Sequence, residues 1–360
     1  NTRVGSSAAS DVYKRQIFIV LMISMLISQV QAQGCDAEDP NDSIAPAKIK
    51  LFGFIQPEYN YTLSDPAEST FKFRRARIGV RGRVLDDFSY YFMLETSPFI
   101  NGGNEGRAYL MDAFVTWDKY NWARIAVGSY KQPFGLEVQT ACNALITIDR
   151  AIVSDQLVVP QRDYGISVWG GNVNTRLNYA VALMNGSGLL TTDNNNKKDI
   201  VGRVTYKLFD FMTIGGSYRY GFPKLNNNDD DRVTYGGEIL FDFNNLHIQG
   251  EYIHDEGAFD PGADAGCGSE PLALGEKRDG AYGMIWYDTK WNLQPVFKYE
   301  FFDQDLDLKD VPYRYSERMT LGINYFFSKA VRLQINYQAN IETVINEDND
   351  KFLAQIQVVF

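Results

Sequence analysis

The feature that most constrains the fold of this chain is an alternation of apolar and polar residues that recurs along almost its whole length. In residues 331–341, apolar side chains occupy every second position from Val331 to Ile341, with polar side chains such as Gln334 between them. A period of two residues is that of a β-strand with one apolar and one polar face. No segment after residue 33 has a helical period. The pattern therefore predicts an all-β fold.

Sixteen segments show this alternation, and most are about 10–14 residues long. Soluble strands are usually shorter, whereas a tilted transmembrane strand needs about this length. Short turns such as 85–86 alternate with long loops such as 255–277, which is the asymmetry of an outer-membrane barrel. The segments lie near residues 48–61, 71–84, 87–96, 108–118, 122–131, 163–171, 175–185, 199–208, 211–221, 232–243, 246–254, 278–288, 291–303, 314–326, 329–342 and 351–360.

A soluble β-sandwich would also alternate, but the aromatic residues favour a membrane barrel. Tyr, Phe and Trp recur near segment ends, as interfacial girdles require, and the last predicted strand ends on Phe360. In lipid every backbone polar group must be paired, so the sheet must close on itself. Sixteen strands then leave an aqueous lumen lined by the polar face. The aromatic residues near segment ends are Tyr59, Tyr61, Trp117, Trp122, Tyr218, Tyr220, Trp286, Trp291 and Tyr325.

The N-terminal part of the sequence reads as a targeting segment. Lys14 and Arg15 precede an apolar run that ends before Ala32, and residues 1–32 are interpreted as a leader and signal peptide that is removed. A short buried helix and a lipoprotein cut before Cys35 remain as alternatives. Residues 33–46 then form an acidic periplasmic linker, and residues 47–360 form the barrel.

Composition excludes several other classes of protein. The net charge of −10 argues against a nucleic-acid binder, and 3 Cys and 2 His argue against a disulfide scaffold and a multi-histidine metal site. His247 and His254 have no nucleophile and base at a plausible spacing, so we expect neither an enzyme nor a cofactor. Cys142 and Cys267 both lie in predicted loops. Whether they form a disulfide stays open, since the sequence does not fix their separation.

The second predicted strand carries the most specific pattern of charge. Alternation places Ala76, Ile78 and Val80 toward lipid, and it turns a ladder of four arginines inward: Arg75, Arg77, Arg81 and Arg83. Charges on the lipid face are costly, so the inward assignment is favoured. Alternation places Arg74 on the outward, lipid-facing side near the end of the strand, where its side chain is expected to reach the membrane–water interface.

Over all segments, the inward face carries about twice as many Lys and Arg as Asp and Glu. Rings of cations select anions, which predicts an anion channel. Bracing of the wall by arginine–carboxylate pairs is the structural alternative for each arginine. Inward aromatics such as Phe52, Phe54, Tyr91 and Phe114 support an alternative function as a general or sugar-permeable porin with little anion selectivity.

Three motifs resemble those of the phosphate-selective porin O and P family. The stretch Phe73-Arg74-Arg75-Ala76-Arg77-Ile78-Gly79-Val80-Arg81-Gly82 resembles its second-strand signature. Residues 128–137, Gly-Ser-Tyr-Lys-Gln-Pro-Phe-Gly-Leu-Glu, are similar to its Gly-x-x-Lys-x-Pro-Phe segment. Arg162-Asp163-Tyr164-Gly165 resembles the entry into the following strand.

This resemblance implies a homotrimer of sixteen-stranded porins in the outer membrane of a Gram-negative bacterium, embedded in outer-membrane lipid and passing phosphate-like anions by passive diffusion. It also implies that the barrel assembly machinery reads the C-terminal strand that ends on Phe360. The stretch near 132–162 is then a constriction loop folded into the lumen, with Lys131, Arg150 and Arg162 as candidates to face its narrowest point. Asp112 is the inward, pore-lining carboxylate of the fourth strand; it is expected to form a salt bridge that orients an arginine, and sharing a proton with bound phosphate is the alternative. An ion pair between Arg162 and Asp163 is the alternative for those two residues.

Overall fold

A computed structural model of the chain describes residues 49–102, 106–193, 195–223, 230–259, 272, 274–308, 314–342 and 348–360. The predicted signal peptide, the linker, Cys35 and Cys267 lie outside the described residues. Cleavage and the linker therefore stay as predictions, and the pairing of Cys142 with Cys267 stays open.

Sixteen strands are present, and each lies within a few residues of a predicted segment. Transmembrane strands alternate strongly because one face meets lipid and the other meets a polar lumen, so the sequence signal is clear. The strands are β1 (Ile49–Thr62), β2 (Glu68–Leu85), β3 (Phe88–Glu95), β4 (Tyr109–Tyr120), β5 (Ala123–Lys131), β6 (Arg162–Gly170), β7 (Leu177–Met184), β8 (Asp199–Phe209), β9 (Met212–Gly221), β10 (Arg232–Phe243), β11 (Leu246–Gly257), β12 (Lys277–Tyr287), β13 (Leu293–Asp303), β14 (Tyr315–Phe326), β15 (Val331–Glu342) and β16 (Lys351–Val359).

The strands form one closed antiparallel barrel. Each strand pairs with its neighbours in the chain, and β16 pairs with β1, with Glu58 opposite Gln355. Gly53 and Phe360 close this seam by exchanging two backbone hydrogen bonds, each 2.9 Å long. The closed sheet has no free edge, which is the condition for a sheet in lipid. The predicted all-β barrel is confirmed.

The two ends of the barrel differ. Short connections such as Asp86–Asp87 lie at one end together with the start of β1 and the end of β16, and we call this the turn end. The longer connections, including residues 132–161, lie at the other, the loop end. In outer-membrane barrels the short turns are periplasmic and the long loops extracellular.

The outer face is apolar and the inner face is polar, as the alternation predicts. Along β8, Ile200 and Val204 are exposed on the outside, whereas Arg203 and Thr205 are buried on the inside. Trp286 departs from the predicted aromatic girdle, so its assignment there is wrong. It lies opposite His247 in the register and stacks on that ring inside the barrel, with centroids 5.1 Å apart.

Among the described residues, three short helices connect strands: α1 (Ser97–Asn101), α2 (Leu136–Gln139) and α3 (Ile152–Leu157). Each is shorter than two turns, so its sequence is too short to show a helical period. None of the described helices is long and apolar enough to cross a membrane. Helices α2 and α3 both belong to residues 132–161.

We expect deletion of Phe360 to lower the yield of folded barrel. The deletion removes both backbone hydrogen bonds to Gly53, and these bonds help to close the β1–β16 seam. The fraction that migrates faster on a denaturing gel without boiling measures the folded yield. Phe327→Ala, at an exposed aromatic in the β14–β15 turn, is the control. A deletion variant with the yield of the wild type would contradict this role.

Candidate functional site

Residues 132–161, which we call the constriction segment, cross the interior of the barrel. Almost all of its side chains are buried. On β15, Asn336 accepts the backbone N–H of Ile148 at 2.8 Å, and Arg332 donates to the carbonyl of Leu145 at 3.0 Å. On β9, Arg219 donates to the carbonyl of Val159 at 2.6 Å. The segment is therefore bound to several sides of the wall, and the predicted inward-folded loop is confirmed.

The buried carboxylate of Glu251 holds the start of α2. Glu251 on β11 accepts the backbone N–H groups of Leu136 at 3.0 Å and Glu137 at 3.3 Å. Gly135 precedes them with a φ of 70°, and a Cβ there would lie 2.2 Å from Oε1 of Glu251. Helix N-termini leave N–H groups without partners, and a carboxylate satisfies them and favours their partial positive charge. Glycine is thus required where the segment meets the wall.

The start of α3 is held in the same way. Glu137 of the segment accepts the N–H of Ala151 at 2.6 Å, and Glu300 on β13 accepts the N–H of Ile152 at 2.8 Å. Burial raises the pKa of Glu137 above its ordinary value, although Lys298 and the Ala151 N–H oppose the shift. Two of the acids that the sequence places inward, Glu251 and Glu300, thus fix the constriction segment.

Lys131 and Arg150 are both buried and bind the end of α2. The Lys131 Nζ donates to the carbonyls of Val138 at 2.6 Å and Thr140 at 3.1 Å. Arg150 donates to the carbonyl of Glu137 and, at 3.0 Å, to that of Thr140. Cations at a helix C-terminus satisfy the last carbonyls and complement the helix dipole. These predicted site residues hold the conformation of the segment.

Arg162 forms an ion pair with Asp112, with its Nε 3.0 Å from the Asp112 Oδ1. Asp163, the partner in the alternative pairing, accepts the backbone N–H groups of Tyr164 at 2.8 Å and of Gly186. Asp112 therefore forms the expected salt bridge. The pair links β4 to the point where the constriction segment returns to the wall.

The four arginines of the ladder have different surroundings. Arg77 is buried against Glu95, with Nε 2.7 Å from Oε2, and Arg83 binds Asp118 at 2.6 Å. Arg81 is partly exposed, with its guanidinium carbon 5.7 Å from the centroid of the Phe52 ring. The ladder points inward as predicted, while Arg77 and Arg83 also brace the wall.

Arg75 differs from Arg77 and Arg83 in its hydrogen bonding. Its Nη1 donates to Oε1 of Gln56 at 3.0 Å, and it is 2% exposed. Its Nε and Nη2 groups have no hydrogen-bond acceptor among the described residues. Buried polar groups are nearly always paired, so two open donors on one cation suggest a site for a bound anion or water.

Arg74 points into the barrel, so the prediction that it reaches the interface is wrong. The register between β1 and β2 shifts at Gln56 and Pro57, which leaves Arg74 as an extra residue. Its guanidinium binds Asp149 of the constriction segment and lies 3.5 Å from Glu58. Pro57 lacks the N–H that a regular ladder uses, and this is the sequence signal that could have indicated the bulge.

Cations surround Asp149 at the loop end of the lumen. Burial raises the pKa of Asp149, but Arg74 and Arg318 outweigh burial and hold that pKa below its ordinary value. Lys298 and Lys351 also interact electrostatically with this carboxylate. The sequence places Arg318 and Lys298 inward, but it gives no reason to bring Lys351 and Arg74 to this point. Lys72 and Arg75 join this group through Glu58, with which both interact electrostatically. We call the group the loop-end cluster; its cations are Lys72, Arg74, Arg75, Lys298, Arg318 and Lys351.

The polar side chains inside the barrel line a passage, and those described form no metal-binding cluster. Among them, no group of three or more His, Cys, Asp and Glu side chains is arranged to hold a metal ion. His247 lies between two carboxylates, 2.7 Å from Asp242 and 3.2 Å from Asp288. These contacts fix both ring nitrogens at the turn end of the wall.

Comparisons with known proteins agree with the fold. A family model described as phosphate-selective porin O and P matches residues 55–237. No curated protein matches the chain significantly. The chain is similar to the solved OmpF of Salmonella typhi in complex with daunomycin, at 13% identity and a TM-score of 0.67, covering 87% of this chain and 98% of that one.

Two further solved structures are similar over the same extent. An anion-selective porin from Comamonas acidovorans has 14% identity and a TM-score of 0.61, covering 87% of this chain and 99% of that one. The in-vitro folded OmpT of Vibrio cholerae in its trimer form has 12% identity and a TM-score of 0.58, covering 88% and 100%.

Proposed function

Because the chain belongs to the phosphate-selective porin O and P family, it is an outer-membrane channel, and we propose that it conducts anions and binds phosphate-like oxyanions. Both the family and the closed barrel are those of a channel rather than of an enzyme. The anion preference and the phosphate site are the proposal. The observation that carries the proposal is the buried Arg75 with its two open donors inside the loop-end cluster.

The buried charges cannot by themselves account for a preference for anions over cations. Among the described residues, buried carboxylates are nearly as numerous as buried Lys and Arg side chains. A passing ion responds instead to the charges that stay accessible, because water and ions reach them. Inward cations that remain partly exposed at the turn end are Lys50, Arg81, Arg83, Arg124 and Lys207. Three carboxylates lie at the same end, and each already has a partner: Asp118 is bound by Arg83, and Asp242 and Asp288 flank His247.

At the loop end the balance of charge also favours anions. Six cations of the loop-end cluster face the carboxylates of Glu58, Asp149 and Glu300. An excess of one sign in a cleft with low-dielectric walls raises the local concentration of the opposite ion. Arginine forks also match the geometry of phosphate oxygens. Cations at both ends of the lumen thus support passage of anions through the whole barrel.

The predicted site residues divide into two roles in this proposal. Arg81 and Arg83, which stay partly exposed, meet the passing anion directly, and Arg75 supplies the two open donors of the proposed oxyanion site. The others hold the passage in shape through contacts with the constriction segment or the wall, and these are Arg77, Lys131, Arg150, Arg162 and Asp112. We also propose a homotrimer, since a solved porin of similar fold is a trimer.

The test of the phosphate site is Arg75→Gln. Hydrogen bonds to charged groups contribute about 1.5–3 kcal/mol, so we expect phosphate to block the chloride current roughly 10- to 150-fold less tightly in the variant. The measurement is single-channel recording in a planar bilayer with phosphate titration, and the reversal potential across a KCl gradient gives the ion preference.

Lys329→Gln removes an equal charge from the exposed β14–β15 turn and serves as the control. Equal phosphate block in the wild type and Arg75→Gln would contradict the site. A large conductance with no anion preference in the wild type would replace the proposal with a general porin.

A further inference from the structure

Two side-chain amides connect two buried arginines across the seam between β1 and β16. The Arg75 Nη1 donates to the Gln56 Oε1 at 3.0 Å, and the Gln56 Nε2 donates to the Gln357 Oε1 at 2.7 Å. The same Gln357 oxygen accepts the Nη2 of Arg332 at 3.1 Å. These four side chains, which we call the amide row, thus run from β2 through β1 and β16 to β15.

The two arginines fix the direction in which both amides point. Arginine donates hydrogen bonds and accepts none, so each glutamine must present its oxygen to its arginine. The Nε2 of Gln357 is then free to donate to the carbonyl of Asn143 in the constriction segment, at 3.0 Å. The four side chains of the row are 0–5% exposed, so the wall and the segment enclose the whole arrangement.

Elsewhere on the inner wall, buried arginines bind carboxylates. The pairs are Arg77–Glu95, Arg162–Asp112, Arg203–Glu238, Arg219–Asp199, Arg232–Asp255 and Arg278–Asp255. In the amide row, neutral oxygens take the place of these carboxylates. Among the described residues Arg332 has no carboxylate partner, and its other two acceptors are the carbonyls of Asn143 and Leu145. Glu58 acts on Arg75 electrostatically, without an ion pair between them.

This difference decides how much positive charge a passing ion meets. Opposite charges in contact largely cancel each other at a distance, whereas a cation bound by neutral oxygens keeps its full attraction for anions. From this we infer that Gln56 and Gln357 are specificity-determining residues, because they position Arg75 and Arg332 without neutralising them. The solutes concerned are small inorganic anions such as chloride and phosphate, which require only positive charge and N–H donors.

The inference rests on the proposed anion channel and extends its binding site. It adds Arg332 to the site of Arg75 as a second cation, and the Nε of Arg332 also has no hydrogen-bond acceptor among the described residues. A carboxylate at either glutamine position would hold its arginine through the same oxygen and would cancel one positive charge of the row.

The test therefore replaces each glutamine with glutamate. Gln357→Glu keeps the oxygen that Arg332 and Gln56 bind, so the row keeps its form while its charge falls by one. A unit charge about 4 Å from an ion in water changes the population of that ion about fivefold, so the ratio of chloride to potassium permeability across a KCl gradient should fall roughly fivefold. Gln56→Glu should lower the ratio as well and should weaken phosphate block, because the new charge lies beside the open donors of Arg75.

Asn178→Asp is the control for added charge. It places an equal charge on the inner face of β7, five strands from β2, and its Oδ1 can still accept the hydroxyl of Thr175. Salt screens charges that are separated by more than about 10 Å, so this variant should change the permeability ratio far less.

Folding gives a second measurement that a purely structural role of the amides would not predict. A carboxylate beside Arg332 completes an ion pair, so Gln357→Glu should keep the urea midpoint of the wild type, read from heat-modifiable migration. Gln249→Glu should lower that midpoint, since Gln249 is equally buried at 5% exposed but binds the hydroxyl of Tyr282 and, among the described residues, no arginine.

A midpoint of Gln357→Glu as low as that of Gln249→Glu, or an unchanged permeability ratio in the folded Gln357→Glu barrel, would overturn the inference. If the wild type prefers chloride in that case, the proposed anion channel stands. A wild type without anion preference would instead contradict the channel proposal, and the inference with it.

Discussion

Arg77→Met is expected to lower the free energy of unfolding by about 3–5 kcal/mol, the usual result when one partner of a buried ion pair is removed. Arg77 and Glu95 are 2% and 3% exposed, with Nε 2.7 Å from Oε2, and Arg77 also donates to the Cys142 Sγ at 3.0 Å. Without the guanidinium, the Glu95 carboxylate stays buried and loses its counter-charge. The folded fraction against urea concentration, read from heat-modifiable migration, measures the loss.

A second substitution separates the charge from the packing. Glu95 also accepts the N–H groups of Ala76 at 3.0 Å and Ser97 at 3.1 Å, and a glutamine keeps an acceptor for them. Arg77→Met with Glu95→Gln should therefore recover part of the lost stability. Arg81→Met, on the same strand but partly exposed, should change stability far less. An Arg77→Met barrel as stable as the wild type would show that the ladder does not brace the wall at this point.

The strands were predictable because lipid acts on every residue of a strand in the same way. Each outward position must be apolar and each inward position is free to be polar, so β15 alternates without a break. The constriction segment was predictable as a departure from this alternation, and the two motifs at residues 128–137 and 162–165 located its ends. The parity rule also placed the ladder inward, since no other face accepts four arginines.

Alternation does not predict the direction of a side chain where the strand pairing is irregular. It also does not predict contacts between residues that are far apart in the sequence. The extra residue at Arg74 reverses its direction, and only Pro57 on the neighbouring strand hints at the irregularity. The contacts of Glu251 with Leu136 span 115 positions, and nothing local in either stretch indicates them. The roles of Lys131 and Arg150 were missed for the same reason, because a pore-facing cation and a helix clamp look alike in sequence.

Removal of the constriction segment is expected to raise single-channel conductance several-fold. The backbone N–H of Gln132 donates to the carbonyl of Gln161 at 3.0 Å, so the two ends of the segment are adjacent and a short Gly-Ser turn can replace residues 133–160. A sixteen-stranded wall without an inner segment encloses an aqueous channel. Polar wall groups such as Asn336 and Arg332, which now bind the segment, would be hydrated.

The same deletion separates the role of the wall from that of the segment in ion preference. It removes the carboxylates of Glu137, Asp149 and Asp155 together with one cation, Arg150, so the inner charge becomes more positive. We therefore expect chloride preference across a KCl gradient to persist although the passage is wider. Replacing α1, whose Phe99 and Ile100 are exposed, with Gly and Ser should leave conductance unchanged. Wild-type conductance after the deletion would mean that the segment does not limit the passage, and cation preference would place the anion selectivity in the segment instead of the wall.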